Sequence, residues 1–437
     1  RLAGLSIAHQ RETFIPLDAE GEPLRPALLW LDERCSDLLP ELEQRLGREA
    51  YHALTGRPLS ANLAVGKLVW LARHEPEVFA AARWYADVQG YLVHRLTGRL
   101  ATGWGSADPL GLFDMRARRW AAPVLAATGV TASQLPALHP PAAVLGSVTA
   151  QAAGLTGLPA GLPVICGLGD GQAAGLAARV TGPGTAYLNL GTAVVSGTYA
   201  ADYTADRAFR TTCGGIPGSY ILETVLLGGT YTVDWFLGAF AQPAPGETAG
   251  DVLARLEAEA ACLGPGAEGL VLVPYWNGAL NPYWDASASG IVAGWRGIHR
   301  PHHLYRAILE GIAFEQRLHA EGVEAATGQP VAEYVVMGGG SRSSLWRQIL
   351  ADGTGKPIRR CAAPEASALG AGILAAAGAG LFPDVAAAAQ SMAHPEASAA
   401  QPDPQRAAHY MQLYEEVYRP LYPALRGPLA RLHALTR

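Results

Sequence analysis

Residues 167–176 read GLGDGQAAGL. One carboxylate, Asp170, stands among four glycines, Gly167, Gly169, Gly171 and Gly175. The preceding GLPVIC (161–166) is a short apolar run that reads as a buried strand. The following AAGLAA (173–178) reads as a helix start packed very close to a neighbour. A lone acid at a strand-to-helix corner has two readings. As an N-cap it accepts a backbone N–H. As a base it deprotonates a hydroxyl that attacks a phosphoryl group, and small neighbours leave room for the substrate beside it. An N-cap does not require four glycines together.

A second unit of the same kind follows. EYVVMGGGSRSSLWRQILADGTG (333–355) reads as strand, glycine corner and helix. The two units predict two similar halves with a cleft between them, divided near 178–183. At the second corner, Gly338, Gly339 and Gly340 let backbone approach a ligand. Ser341, Ser343 and Ser344 offer hydroxyls at a helix N-terminus, where the dipole favours anions. A tight turn with an N-cap serine is the alternative. LNLGTAVV (188–195) reads as a hairpin with Gly191-Thr192 at its tip, either an ordinary turn or a phosphate contact. EASALGAGILAAAGAG (365–380) is a helix with almost no side-chain volume, so another element must approach its backbone closely. In HQRETF (9–14), Arg11 and Glu12 follow an apolar strand. They are either a surface ion pair or a donor and acceptor for the hydroxyls of a polyol.

With 437 residues, the chain is expected to form two large domains or three. Hydrophobic residues make up 49% and charged residues 16%, which supplies a core and excludes global disorder. A net charge of −5 argues against nucleic acid as a partner. Five scattered cysteines without a CxxC pair argue against a disulfide scaffold or zinc knuckle, and fit a reducing cytosol. The stretch ASALGAGILAAAGAGLF (366–382) is too short and too weakly apolar for a membrane span.

Residues 2–8, 13–17 and 24–32 read as extended segments of an opening meander, and 36–100 as helical. Within that region Pro76 starts a helix, and 86–98 is a helix closed by Gly98. Loops are expected at 241–250 and 383–404. A GxGxxG at Gly264, Gly266 and Gly269 lies between helix and strand, so it reads as a loop and not a dinucleotide fingerprint. His299, His302 and His303 in HRPHH read as a solvent-facing first helical turn around Pro301. The abrupt entry from Arg1 into LAGLSIA leads us to expect a missing N-terminal segment.

In this order, QRETFIPLDAEGEPLRPALLWLDER (10–34), GKLVWLARHEPEVF (66–79), DVQGYLVHRLTG (87–98), SADPLGLFD (106–114), GLPAGLPVICGLGDGQAAGL (157–176), LNLGTA, GGGSRSSLWRQILAD and EASALGAGILAAAG resemble the FGGY family of carbohydrate kinases. The resemblance implies an α/β chain with two domains of the actin-like ATPase (ribonuclease H-like) fold and an interdomain cleft. Residues 1–180 would bind the sugar and 181–437 would bind ATP. Asp170 matches the catalytic base. Gln10, Arg11, Glu12 and Trp104 join it on the substrate. Gly191 and Thr192 match a phosphate loop, and Gly338, Gly339, Gly340 and Ser343 an adenosine loop. Gly229 and Asp234, in LLGGTYTVDWF (226–236), line the nucleotide site. ATP and Mg are the implied cofactors. The family's opening Asp-x-Gly-Thr hairpin, which handles phosphate and Mg, is absent, so a non-catalytic sugar- or nucleotide-binding relic stays open.

The QRET run resembles glycerol kinases, although Trp104 stands where those place a tyrosine. NPYWDASASG (281–290) resembles xylulose kinases. The reading is therefore phosphorylation of a small sugar or polyol, a ketopentose such as xylulose before glycerol. The protein is expected in the cytoplasm, with no nucleic-acid or membrane partner and with a homodimer left open.

Overall fold

The computed structural model describes residues 2–241, 243 and 246–436. Of the loop expected at 241–250, Gln242, Ala244 and Pro245 lie outside the described residues. The strand Leu5–His9 runs parallel to Pro163–Gly169, whose other edge takes Val144–Ser147 antiparallel. The opening meander does not form. Phe14–Leu17 pairs instead with Trp84–Asp87, and the segment after it returns only as isolated bridges at Pro23 and Leu28, with the Leu24 N–H on the Pro16 carbonyl at 3.0 Å. Pro23 and Pro26 have no backbone N–H to give a ladder, which keeps that segment out of the sheet. The helix expected from residue 86 begins at Val88, because Asp87 ends the strand and caps the helix through the Gly90 N–H at 3.1 Å. The helices Leu39–Leu46, Arg48–Thr55, Ala64–His74 and Pro76–Ala81 form a separate layer. Its core contains Phe14, Leu42, Leu63, Leu68, Leu71 and Val124.

The second half is built on a seven-stranded sheet. At its centre Thr185–Leu190 pairs antiparallel with Val194–Ala200, as the hairpin reading expected, and parallel with Glu333–Met337. Tyr220–Leu226 and Arg210–Cys213 extend the sheet on the hairpin side. Ile358–Cys361, parallel, and Pro395–Ala400, antiparallel, extend it on the other. An antiparallel hairpin extended by parallel strands on its first member is the ribonuclease H-like pattern. The helix Pro301–Thr327 covers this sheet and buries Leu304, Ile308, Leu309, Ile312 and Phe314. Each such side chain contributes about 1.5–3 kcal/mol on leaving water.

Pro301 does start that helix, but His299 and His303 are buried rather than solvent-facing. Their Nδ1 atoms accept the backbone N–H groups of Arg296 and Arg300 at 2.9 and 3.0 Å. Among the described residues no group of three or more His, Cys, Asp or Glu could hold a metal. The GxGxxG run is a loop between the helix Ala249–Ala261 and the strand Val271–Val273, with the Gly266 N–H on Glu310. All five cysteines are free thiols. No helix among the described residues is long and apolar enough to cross a membrane.

The small-residue helix Ala366–Gly378 packs against the helix Asp170–Ala177. A Cβ on Gly370 would stand 1.9 Å from the Ala173 carbonyl oxygen, so no side chain fits there. This is the close backbone approach that its composition predicted.

Candidate active site

Asp170 is not the N-cap of its helix; Gly169 is. Asp170 is the first helical residue, and its backbone carbonyl accepts the Ser367 hydroxyl at 2.9 Å. Its side chain is 60% exposed and lies 3.8 Å from Nε of Arg11. The glycines around it are filled from within the chain. A Cβ on Gly167 would meet the Ile7 carbonyl at 1.9 Å. One on Gly169 would meet Gln172 Oε1 at 2.4 Å and Cδ of Arg11 at 2.5 Å, and one on Gly175 the Tyr187 ring at 3.1 Å. The glycines therefore admit Arg11, Tyr187 and the neighbouring strand. Gly171 is less crowded: a Cβ there would meet Glu223 Oε2 at 3.4 Å.

Arg11 and Glu12 do not pair with each other to form a surface bridge. Arg11 Nη1 donates to Glu223 at 3.0 Å, while Glu12 accepts from Arg57 at 3.3 Å. Glu12 adopts φ 57°, a left-handed backbone that costs an ordinary side chain about 1 kcal/mol or more and turns the two neighbours to different partners. Behind them lies a buried network. Glu223 also accepts from Arg210 and from the Tyr187 hydroxyl at 3.2 Å. Arg57 donates to Asp108 at 2.7 Å, which also takes the Cys213 N–H at 2.7 Å and Gln172 at 3.3 Å.

Burial alone would raise the Glu223 carboxyl, but the charges of Arg11 and Arg210 outweigh it and hold it at about 2. Burial pushes Asp108 up to about 6 against the pull of Arg57. Three arginines thus face four carboxylates, and Asp170 is the one acid that opens to solvent. Gln10 is exposed at the end of the strand Leu5–His9. Trp104 is half-buried, with the Arg118 guanidinium 5.1 Å from its ring.

The remaining candidates gather at the carboxyl ends of Thr185–Leu190 and Glu333–Met337. The hairpin tip docks on the helix Thr230–Phe240: the Gly191 carbonyl accepts the Thr230 N–H at 2.8 Å, and that of Thr192 the Tyr231 N–H at 3.2 Å. Gly229 is required there, since its Cβ would stand 2.6 Å from the Gly191 carbonyl oxygen. Thr192 and Asp234 are exposed. Gly338 has φ 81° and presses on Asn189 and Leu190, and Gly340 lies against the Trp346 ring. A Cβ on Gly339 would meet nothing within 4 Å. Ser343 caps the next helix through the Trp346 N–H at 2.9 Å, and its hydroxyl is held by Glu257. Thr185–Leu190 joins the two corners: Tyr187 touches the first, and Asn189 and Leu190 touch the second.

Family models for the N-terminal and C-terminal domains of FGGY carbohydrate kinases match residues 1–177 and 186–379. The chain belongs to the FGGY family of carbohydrate kinases. Its fold is the two-domain actin-like ATPase fold of that family. This FGGY kinase is 30% identical to the xylulose kinase of Escherichia coli (strain K12), over 96% of this chain and 84% of that protein. It is 31% identical to the glycerol kinase of Geobacter sp. (strain M21), over 89% of this chain and 79% of that protein. Among solved structures, xylulose kinase from Rhodospirillum rubrum superimposes with a TM-score of 0.91 and 32% identity, covering 98% of this chain and 86% of that one.

Arg57, Asp108, Gln172, Arg210 and Glu223 were not among the residues expected at this FGGY kinase's site. Glu223 did carry a signal, as a lone acid inside the apolar strand YILETVL. A charge in such a run is buried and must find a partner.

Proposed function

We propose that this FGGY kinase transfers the γ-phosphoryl group of ATP to a hydroxyl of a ketopentose such as xylulose, with Asp170 as the base. One observation carries the reading: Asp170 is the exposed acid of a charge network whose other carboxylates, Glu12, Asp108 and Glu223, are buried and paired with arginines. Arg11, anchored by Glu223, orients the carboxylate. Asp170 takes the proton of the attacking hydroxyl as the oxygen–phosphorus bond forms and ADP departs. Gln10 and Trp104 border the sugar. On the nucleotide side, Thr192 and the Gly191 backbone meet phosphates, the open face of Gly339 receives adenosine, and Gly229 and Asp234 form the rim. When bound, Mg²⁺ neutralises phosphate charge. Lacking a cage of three ligating side chains among the described residues, the site suits an ion that arrives with the nucleotide.

Two observations favour a ketopentose over glycerol. Xylulose kinases align over more of the chain. The Glu12 carboxylate is also buried against Arg57, which leaves it little capacity to accept glycerol hydroxyls. Free thiols throughout support a cytosolic location. The test is ADP release from MgATP with D-xylulose, with glycerol and with neither. We expect kcat/KM for xylulose at least about tenfold above that for glycerol, equivalent to ~1.4 kcal/mol. The reverse order overturns the substrate assignment, and no sugar-dependent ADP with any substrate supports a binding relic.

A further inference from the structure

At the amino-terminal ends of Thr185–Leu190 and Glu333–Met337, one strand length or about 17 Å from Gly338–Gly340, lies a cleft of about 330 Å³. Its polar lining is Arg179, Thr181, Thr185, Glu333, Arg359 and Gln390. Arg179 and Thr181 follow the helix of Asp170. Thr185, Glu333 and Arg359 belong to the large sheet, and Gln390 to the helix Val385–Met392, which packs on the Asp170 helix.

Arg179 is unusual. The Asp170 helix ends in a pair of bonds, Arg179 N–H to the Leu176 carbonyl and Val180 N–H to that of Gly175, both 2.9 Å. This termination places the residue at 179 in a left-handed backbone, normally glycine. Elsewhere the chain uses glycine there, as at Gly98, Gly328 and Gly355. Arg179 adopts φ 60° instead. Among the described residues its guanidinium has no carboxylate within 4.0 Å and rests on the neutral Gln390. Across the cleft, Arg359 shares Glu333 at 3.3 Å and two backbone carbonyls. The lining therefore carries two cations against one anion, with two threonine hydroxyls and an amide around them.

We propose that this cleft is a second ligand site, which binds a phosphate monoester of a small polyol. The Arg179 fork holds the phosphate, joined by the one N–H of Arg359 that Glu333 and the two carbonyls leave free, and Thr181, Thr185, Glu333 and Gln390 meet the hydroxyls. The volume lies at the small end of ligand pockets and suits a compound smaller than a nucleotide. Because the walls come from both halves of the chain, a bound ligand ties them together at the point where the chain passes from one to the other.

The test is calorimetric titration of ribose 5-phosphate into the purified protein and into Arg179→Gly and Arg359→Gln variants. Both substitutions should weaken binding by at least about tenfold. Arg179→Gly should keep or raise the melting temperature, because glycine suits the backbone there. Saturating D-xylulose with MgADP should leave ribose 5-phosphate binding unchanged, which separates this site from the proposed catalytic cleft. No saturable binding to the parent up to about 10 mM overturns the proposal. So does binding that survives Arg179→Gly and Arg359→Gln, or an Arg179→Gly protein that melts lower and binds normally. Should either variant fail to fold, the other decides.

Discussion

Both corners join a strand to a helix through glycines, yet their surroundings differ in kind. At Gly167–Gly171 the glycines let the chain's own charged groups in, and Arg11 lies across Gly169 beside Asp170. At Gly338–Gly340 the neighbours are backbone, an amide and an indole, and Gly339 faces open space. The first corner packs charged side chains directly on its glycines; at the second the glycines themselves touch no charged group, and Gly339 is open. A base needs fixed orientation, which paired charges supply. A flat, uncharged ring needs an unobstructed surface, which glycine supplies. Under the proposed function the same local motif serves two tasks, and the side chains packed behind it distinguish them.

The largest effect should come from the exposed acid of the first corner. Asp170→Asn is expected to lower kcat by about 10²–10⁴ while leaving sugar and nucleotide affinity and the unfolding midpoint near parental. Steady-state kinetics with titration of each ligand checks this. Retained turnover would remove the base from this corner and break the contrast.

Next in size is the charge behind it. Glu223→Gln leaves Arg11 and Arg210 without their shared buried anion, at an expected cost of about 3–5 kcal/mol in urea unfolding near neutral pH. The sign with pH follows from the lowered carboxyl. Its contribution is present above its ordinary value near 4.5 and is lost as pH falls toward about 2. The gap between parent and variant should therefore narrow across that window. A gap that is constant with pH would mean that the network does not hold the carboxyl ionised.

The smallest effect separates two adjacent glycines of the second corner. Gly338→Ala, at φ 81° and 2.5 Å from Asn189 Oδ1, should lose about 1–3 kcal/mol of stability. Gly339→Val, with nothing within 4 Å, should melt like the parent and bind sugar normally, yet lose nucleotide affinity. Undiminished nucleotide binding would place adenosine elsewhere.

Both corners, the hairpin and the small-residue helix were legible in the sequence because each depends on neighbours a few residues apart. Glycine spacing, alternation and caps are local signals. The errors have one cause. Trp84–Asp87 read as helix because its partner, Phe14–Leu17, is distant in sequence. His299 and His303 read as exposed because their polarity is visible, while the N–H groups that satisfy them appear only once the turn folds.

The local order of strand, glycine and helix, written twice, was enough to determine an α/β chain with two similar corners and a carboxylate at one of them. Only the tertiary structure decided what surrounds that carboxylate. Arg11 meets Glu223, Glu12 meets Arg57, and Arg57 meets Asp108 across long stretches of chain. A buried charge takes whichever partner the folded chain brings within hydrogen-bonding reach, and spacing along the sequence does not record that partner.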